Sequence, residues 1–204
     1  AVNGMELWRT DGTDEGTYMV KNIGSGFQSG LVSEITNVNG TIFFRARDAG
    51  SNFELWKSDG TAAGTVLVKD IYAGNGGGAP TNLTNVNGVL YFMARSGAAG
   101  RELWKSDGTA AGTVMVKDIF PGPDDSSPQN LVNVNGVLFF TANDGVNGLE
   151  LWKSDGTDAG TVMLKDIFPG PDGSTPFYLT NTNGTLFFTA TNGLNGTELW
   201  KSDG

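Results

Sequence analysis

The chain has 204 residues, 38% of them hydrophobic and 17% charged, which places it among globular domains or repeat arrays rather than disordered chains. Thirteen basic against 22 acidic residues give a net charge of -9 and a pI near 4.4, which opposes binding to a nucleic-acid backbone or an anionic membrane. With no His and no Cys there is no imidazole base, no thiolate and no ordinary zinc or iron-sulfur site, so any chemistry falls to Asp, Glu, Lys and Ser.

No apolar run approaches the roughly 18 residues of a transmembrane helix, so no membrane insertion is expected. Residues 1–6 carry no basic-then-apolar leader, and the chain starts without Met, so it reads as a processed product or an excised fragment. The 31 Gly and 7 Pro residues, together with abundant Asn and Thr, ask for short strands joined by many turns. An all-β fold is expected.

Trp8, Trp56, Trp104, Trp152 and Trp200 recur every 48 residues without insertion or deletion. Residues 104–151 and 152–199 are identical at 35 of 48 positions, so the period is a structural unit and not only a motif spacing. Residues 1–12 repeat the phase of 193–204, and the first unit diverges most, across 24–33. Each unit predicts four strands, clearest in the third: A at 130–134, B at 137–142, C at 149–154 and D at 161–167. Asn135-Gly136 between A and B is a strong hairpin signal. Tight turns follow B and C, and a longer link of about ten residues, such as 120–129, leads from D to the next A.

Strand B is apolar on both faces, Leu138 and Phe140 alternating with Val137 and Phe139, so its sheet must be covered on both sides. Four-stranded sheets packed face to face through a unit of 40–50 residues describe a β-propeller-like array; a β-solenoid fits three tight turns per 48 residues less well. The expected organisation is one array over 1–204. Strands C and D of a partial blade occupy 1–23, whole blades occupy 24–71, 72–119 and 120–167, and strands A to C of a partial blade occupy 168–204. Strand C is one too many for a closed four-bladed ring, so the ends are expected to continue into a longer array or to meet other chains.

In the C–D hairpin, setting Ser106 opposite Thr113 places Trp104 across from Met115 and Glu102 across from Lys117. The same register predicts cross-strand ion pairs Glu54–Lys69, Glu150–Lys165 and Glu6–Lys21. The repeated Trp, Glu and Lys are therefore expected to be structural. So are Asp11, Asp59, Asp107 and Asp155, each preceding Gly-Thr, where a carboxylate can accept backbone N–H groups and clasp the turn.

The segments E-L-W-K-S-D-G-T at 102–109 and 150–157 resemble the E-L-W-x-x-D-G-T repeat of large bacterial surface and secreted proteins. The resemblance covers the whole chain and extends to the following A-G-T and V-K-D-I, although the first copy reads E-L-W-R-T-D-G-T. The Ser-Asp-Gly-Thr segment is also similar to the Asp-box turn of sialidase-type propellers. These resemblances imply an extracellular or cell-surface location and a structural role for the turn.

Asp124 and Asp125, and Asp144 with Asn143 and Asn147, offer hard oxygen ligands of the kind Ca²⁺ takes, but no unit carries a complete calcium loop, so no cofactor is expected. No Asp or Glu is marked as a catalytic pair, and five Arg, with Arg45 and Arg47 in one strand B, give no repeated triad. The leading expectation is a non-enzymatic structural or interaction module, self-associating or contacting other copies of the repeat in adhesion, matrix or filament building. A multivalent carbohydrate-binding propeller is the alternative, with glycans as partners. A glycoside hydrolase ranks third, because it needs one blade to depart from its siblings.

Overall fold

The computed structural model describes residues 4–24, 29–48, 50, 52–74 and 76–204. They form seventeen strands, and the described residues contain no helix. β1 (Leu7–Arg9) pairs with β2 (Tyr18–Lys21). A four-stranded sheet follows from β3 (Ser33–Val38), β4 (Thr41–Arg47), β5 (Phe53–Ser58) and β6 (Val66–Lys69). The next sheet holds β7 (Thr81–Val86), β8 (Val89–Arg95), β9 (Arg101–Ser106) and β10 (Val114–Lys117). The one after it holds β11 (Gln129–Val134), β12 (Val137–Asn143), β13 (Leu149–Ser154) and β14 (Val162–Lys165). Last come β15 (Phe177–Thr182), β16 (Thr185–Thr191) and β17 (Thr197–Ser202) in a three-stranded sheet. Every sheet is an antiparallel meander in chain order.

The first hairpin of each of the four larger sheets turns at Asn-Gly. Asn135 and Gly136 have φ of 52° and 86°, the paired positive angles whose twist matches the flanking strands. In these four sheets the first strand also carries one extra residue opposite its partner, as between Gln129↔Thr141 and Val132↔Phe139. Asn130 in that bulge has φ 55°, and Glu34, Asn82 and Tyr178 share the conformation.

The apolar core lies between sheets, not within one. Val38, Phe43, Leu55, Val68 and Ile71 of the second sheet pack on Leu90, Phe92, Ala94 and Trp104 of the third. Tyr91 and Leu103, from the other face of that third sheet, then pack on Leu138, Phe140 and Trp152 of the fourth. Alternate residues of one second strand therefore serve two interfaces, which is why it is apolar throughout. First strands of consecutive sheets also lie against one another: Asn85 Nδ2 donates to Asn37 O at 3.0 Å, and Asn181 Nδ2 to Asn133 O at 2.9 Å.

The C–D register holds at Trp104↔Met115, Trp56↔Leu67 and Trp152↔Met163 and then slips. One extra residue in strand D sets Lys117 opposite Leu103, Lys69 opposite Leu55 and Lys165 opposite Leu151, so the expected Glu–Lys cross-strand pairs do not form. Trp56, Trp104 and Trp152 are buried, whereas Trp200 is half-buried and Trp8 is 60% exposed, on a face of the two-stranded sheet that no other described sheet covers.

Trp104→Ala should lower stability by about 3–5 kcal/mol through the cavity left between two sheets. Trp8→Ala should stay within about 1 kcal/mol. Urea midpoints compare the two directly, and equal losses would contradict the packing described.

Candidate functional site

The repeated polar residues converge on the seams between sheets. The Glu of each motif turns inward at the start of strand C, where the D-to-A link passes. Glu102 is fully buried; its Oε2 accepts Ile119 N–H at 2.8 Å and Ser126 O–H at 2.6 Å, and its Oε1 accepts Ser126 N–H at 3.1 Å. Glu54 accepts Ile71 N–H at 3.0 Å and Gly78 N–H at 2.7 Å. Glu6 takes Ile23 and Gly30 in the same way, and Glu150 takes Ile167 and Ser174. A carboxylate is suited to this task because it accepts at two oxygens and donates nothing. Burial pushes Glu102 and Glu54 above the ordinary glutamate range, and the nearby Asp118 and Asp70 carboxylates add to the rise, while the N–H donors oppose it.

Lysines serve the next sheet. From strand C, Lys57 Nζ donates to Gly108 O at 2.8 Å, Lys105 to Gly156 O at 2.9 Å and Lys153 to Gly204 O at 2.6 Å. Arg9 reaches Gly60 O at 3.4 Å in the same way. From strand D, Lys21 donates to Thr65 O at 2.6 Å and Lys69 to Thr113 O at 2.7 Å, while Lys117 pairs with the Asp158 carboxylate at 3.1 Å. Two cations of one sheet thus grip opposite ends of the following Ser-Asp-Gly-Thr turn.

The turn is rigid where it is gripped. Asp107 Oδ1 accepts Thr109 N–H and Oγ1–H, both at 2.8 Å, and Ser106 Oγ meets Thr113 Oγ1 at 2.7 Å. Asp11, Asp59 and Asp155 make the same bonds to Thr13, Thr61 and Thr157. The Thr109 hydroxyl and N–H hold Asp107 below the ordinary aspartate range.

Two of the three acidic residues with calcium-type oxygens, Asp125 and Asp144, are engaged otherwise. Asp125 pairs with Arg101 at 2.7 Å, and Asp144 Oδ1 accepts Val146 and Asn147 N–H at 2.9 and 2.8 Å. Among the described residues no three His, Cys, Asp or Glu are grouped to hold a metal ion. Arg45 stacks over Phe53 at 4.0 Å and Arg47 donates to Ser29 O at 3.2 Å.

The 24–71 repeat carries a cavity beside its motif residues. It measures about 220 Å³ and opens beside Glu54 and Trp56, lined also by Asp48, Asn52, Leu67 and Asp70. Sequence reasoning missed it. The signal was present: Asn52 stands where the other units have Gly4, Gly100, Gly148 and Gly196, and the link facing it reads Gly76-Gly77-Gly78.

No known family profile matches the chain, and no curated protein matches it. Among solved structures, a Bifidobacterium bifidum s17 protein assigned as an exo-beta-1,3-galactanase aligns over 100% of this chain and 72% of its own, at 10% identity and a TM-score of 0.43. An exo-beta-1,3-galactanase from Clostridium thermocellum aligns over 100% of this chain and 49% of its own, at 14% identity and a TM-score of 0.42. Likeness at that level bears on neither the fold nor the function of this chain.

Glu102→Gln should cost about 1–3 kcal/mol, because an amide NH₂ replaces one acceptor and leaves a buried N–H without a partner. Chemical denaturation at neutral pH measures this. For Asp107 the folded pKa is depressed, so its contribution is present above the ordinary aspartate value and is lost as pH falls through the lowered folded value. Asp107→Asn keeps an acceptor but does not titrate. Its melting temperature should therefore fall less steeply than that of the parent chain below the ordinary aspartate pKa.

Proposed function

We propose that the chain is a non-enzymatic structural or interaction module of an extracellular or cell-surface protein, its sheets being blades of a propeller-like array and its partner a further copy of the repeat. The observation that carries this reading is the use of the motif's charged residues at the seams: the Glu anchors the link, the Asp stiffens the turn, and the two cations grip that turn from the preceding sheet. Such a seam is heterologous, one face of a sheet fitting the other face of the next, so it propagates along a stack.

The outer faces of the array fit this reading. Leu55, Leu103 and Leu151 are covered by the following sheet, while Leu199 in the same position is 72% exposed. The exposed Trp8 occupies the position by which each later Trp meets its preceding sheet. A further copy of the repeat covers both faces by the pairing seen at every seam, whether it belongs to the same polypeptide or to another.

Sedimentation velocity across a concentration series is the test. The expected result is a mass that rises with concentration and a Leu199→Asp variant that stays smaller with unchanged far-UV circular dichroism. A parent chain that remains monomeric at high concentration overturns the self-association reading.

A further inference from the structure

We infer that the cavity of the 24–71 repeat binds one neutral sugar residue, a function independent of the seam-based module. In three sibling units the D-to-A link lies directly on a glycine of the B–C loop. A Cβ on Gly4 would stand 2.3 Å from Ser29 Cα, on Gly100 2.0 Å from Asp124 O, and on Gly148 2.5 Å from Gly173 N. None of these units can carry a side chain there without displacing its link. The 24–71 repeat carries Asn52, and its link has moved aside: Gly77, at the position of Ser29, Asp125 and Gly173, faces the Asn52 Cβ, and the Asn52 amide donates to Gly74 O. The Gly→Asn exchange and the glycine-rich link are two halves of one change, and the cavity lies beside them.

The walls define the ligand. Asp48 and Asp70 supply acceptors beside the link-anchoring Glu54, Asn52 supplies an amide, and Trp56 and Leu67 supply an apolar side. Three carboxylates with no Lys or Arg in the lining turn away anions. A sugar ring has hydroxyl donors for the carboxylates, hydroxyl acceptors for an amide and a C–H face for the apolar wall. The volume is below the roughly 300–1,000 Å³ of drug-sized sites, which fits a single ring. In the next repeat the matching polar atoms, Trp104 Nε1 and Asp118 Oδ1, are buried without a hydrogen-bonding partner. The 24–71 repeat presents this polar wall to an accessible space instead.

The experiment uses the whole chain, titrated with D-galactose, D-glucose and D-mannose while protein amide resonances are followed by NMR. One of these sugars should shift the resonances around residues 52–56 saturably. Asn52→Gly, which restores the sibling residue, should weaken that binding at least about tenfold without lowering the melting temperature, because four other units fold with Gly in that place. Binding unchanged by Asn52→Gly, or no response to any of the three sugars, overturns the inference. So does saturable binding of tetramethylammonium in preference to all three, which would make the acidic, Trp-lined cavity a cation site. The oligomeric state of the chain does not enter this result, so failure here and failure of the module reading are separable.

Discussion

A four-stranded sheet whose second strand is apolar on both faces cannot be stable alone, and this constraint organises the rest of the molecule. Each sheet is the solvent-excluding cover of its neighbours, so the core is divided into clusters that each draw on two consecutive sheets. Burying apolar surface is non-directional, however, and would tolerate sliding of one sheet over the next. Direction comes from the polar residues at the seam. Lys57 and Lys69 fix the next sheet at Gly108 and Thr113, and Asn85 fixes the first strands against each other. The buried Glu then fixes where the chain passes from one sheet to the next.

The buried carboxylates show how charge is accommodated in such a seam. Burial raises Glu54 and Glu102, yet each has several hydrogen-bond donors around it and a second carboxylate nearby. The folded state therefore holds a proton on these groups more readily than the unfolded chain does. Their contribution weakens as pH rises from the ordinary glutamate value through the raised folded value, opposite in sign to that of the turn aspartates. Acid and base thus act on two different parts of the same seam.

Much of this architecture is legible in the sequence, because a 48-residue period, an Asn-Gly hairpin and an alternating apolar pattern each have one physical reading. The Trp104↔Met115 pairing follows from the same pattern. The Glu102–Lys117 pairing fails because Val116 is an extra, buried residue in strand D, and a one-residue bulge rotates everything beyond it. Periodicity along one sheet also carries no information on where the next sheet lies, so the lateral reach of Lys57 to Gly108, 51 residues away, is invisible to it. The Glu has a faint signature in its fixed distances of 17 and 24 residues to an Ile and to a Gly or Ser. That signature is meaningful only once the link is known to pass over strand C.

Repetition also explains why a singular site can arise in such a molecule. Where several copies of a seam act together, one unit can change its loops as long as its seam contacts stay in place, and the 24–71 repeat has done so. Glu54 still anchors Ile71 and Gly78, Asp59 still accepts from Thr61, and Lys57 still grips Gly108. The departures are confined to the B–C loop and the link opposite, where Asn52 stands for a glycine and Gly76-Gly77-Gly78 for Asp124-Asp125-Ser126 and Asp172-Gly173-Ser174. Glycines there raise the entropy lost on folding and would be disfavoured if packing were the only demand. The link in its siblings packs against the loop without three consecutive glycines. A less favourable link retained beside a polar, accessible cavity is what separation of support from recognition produces: the seam holds the sheet, and the loop above it is free to acquire a ligand.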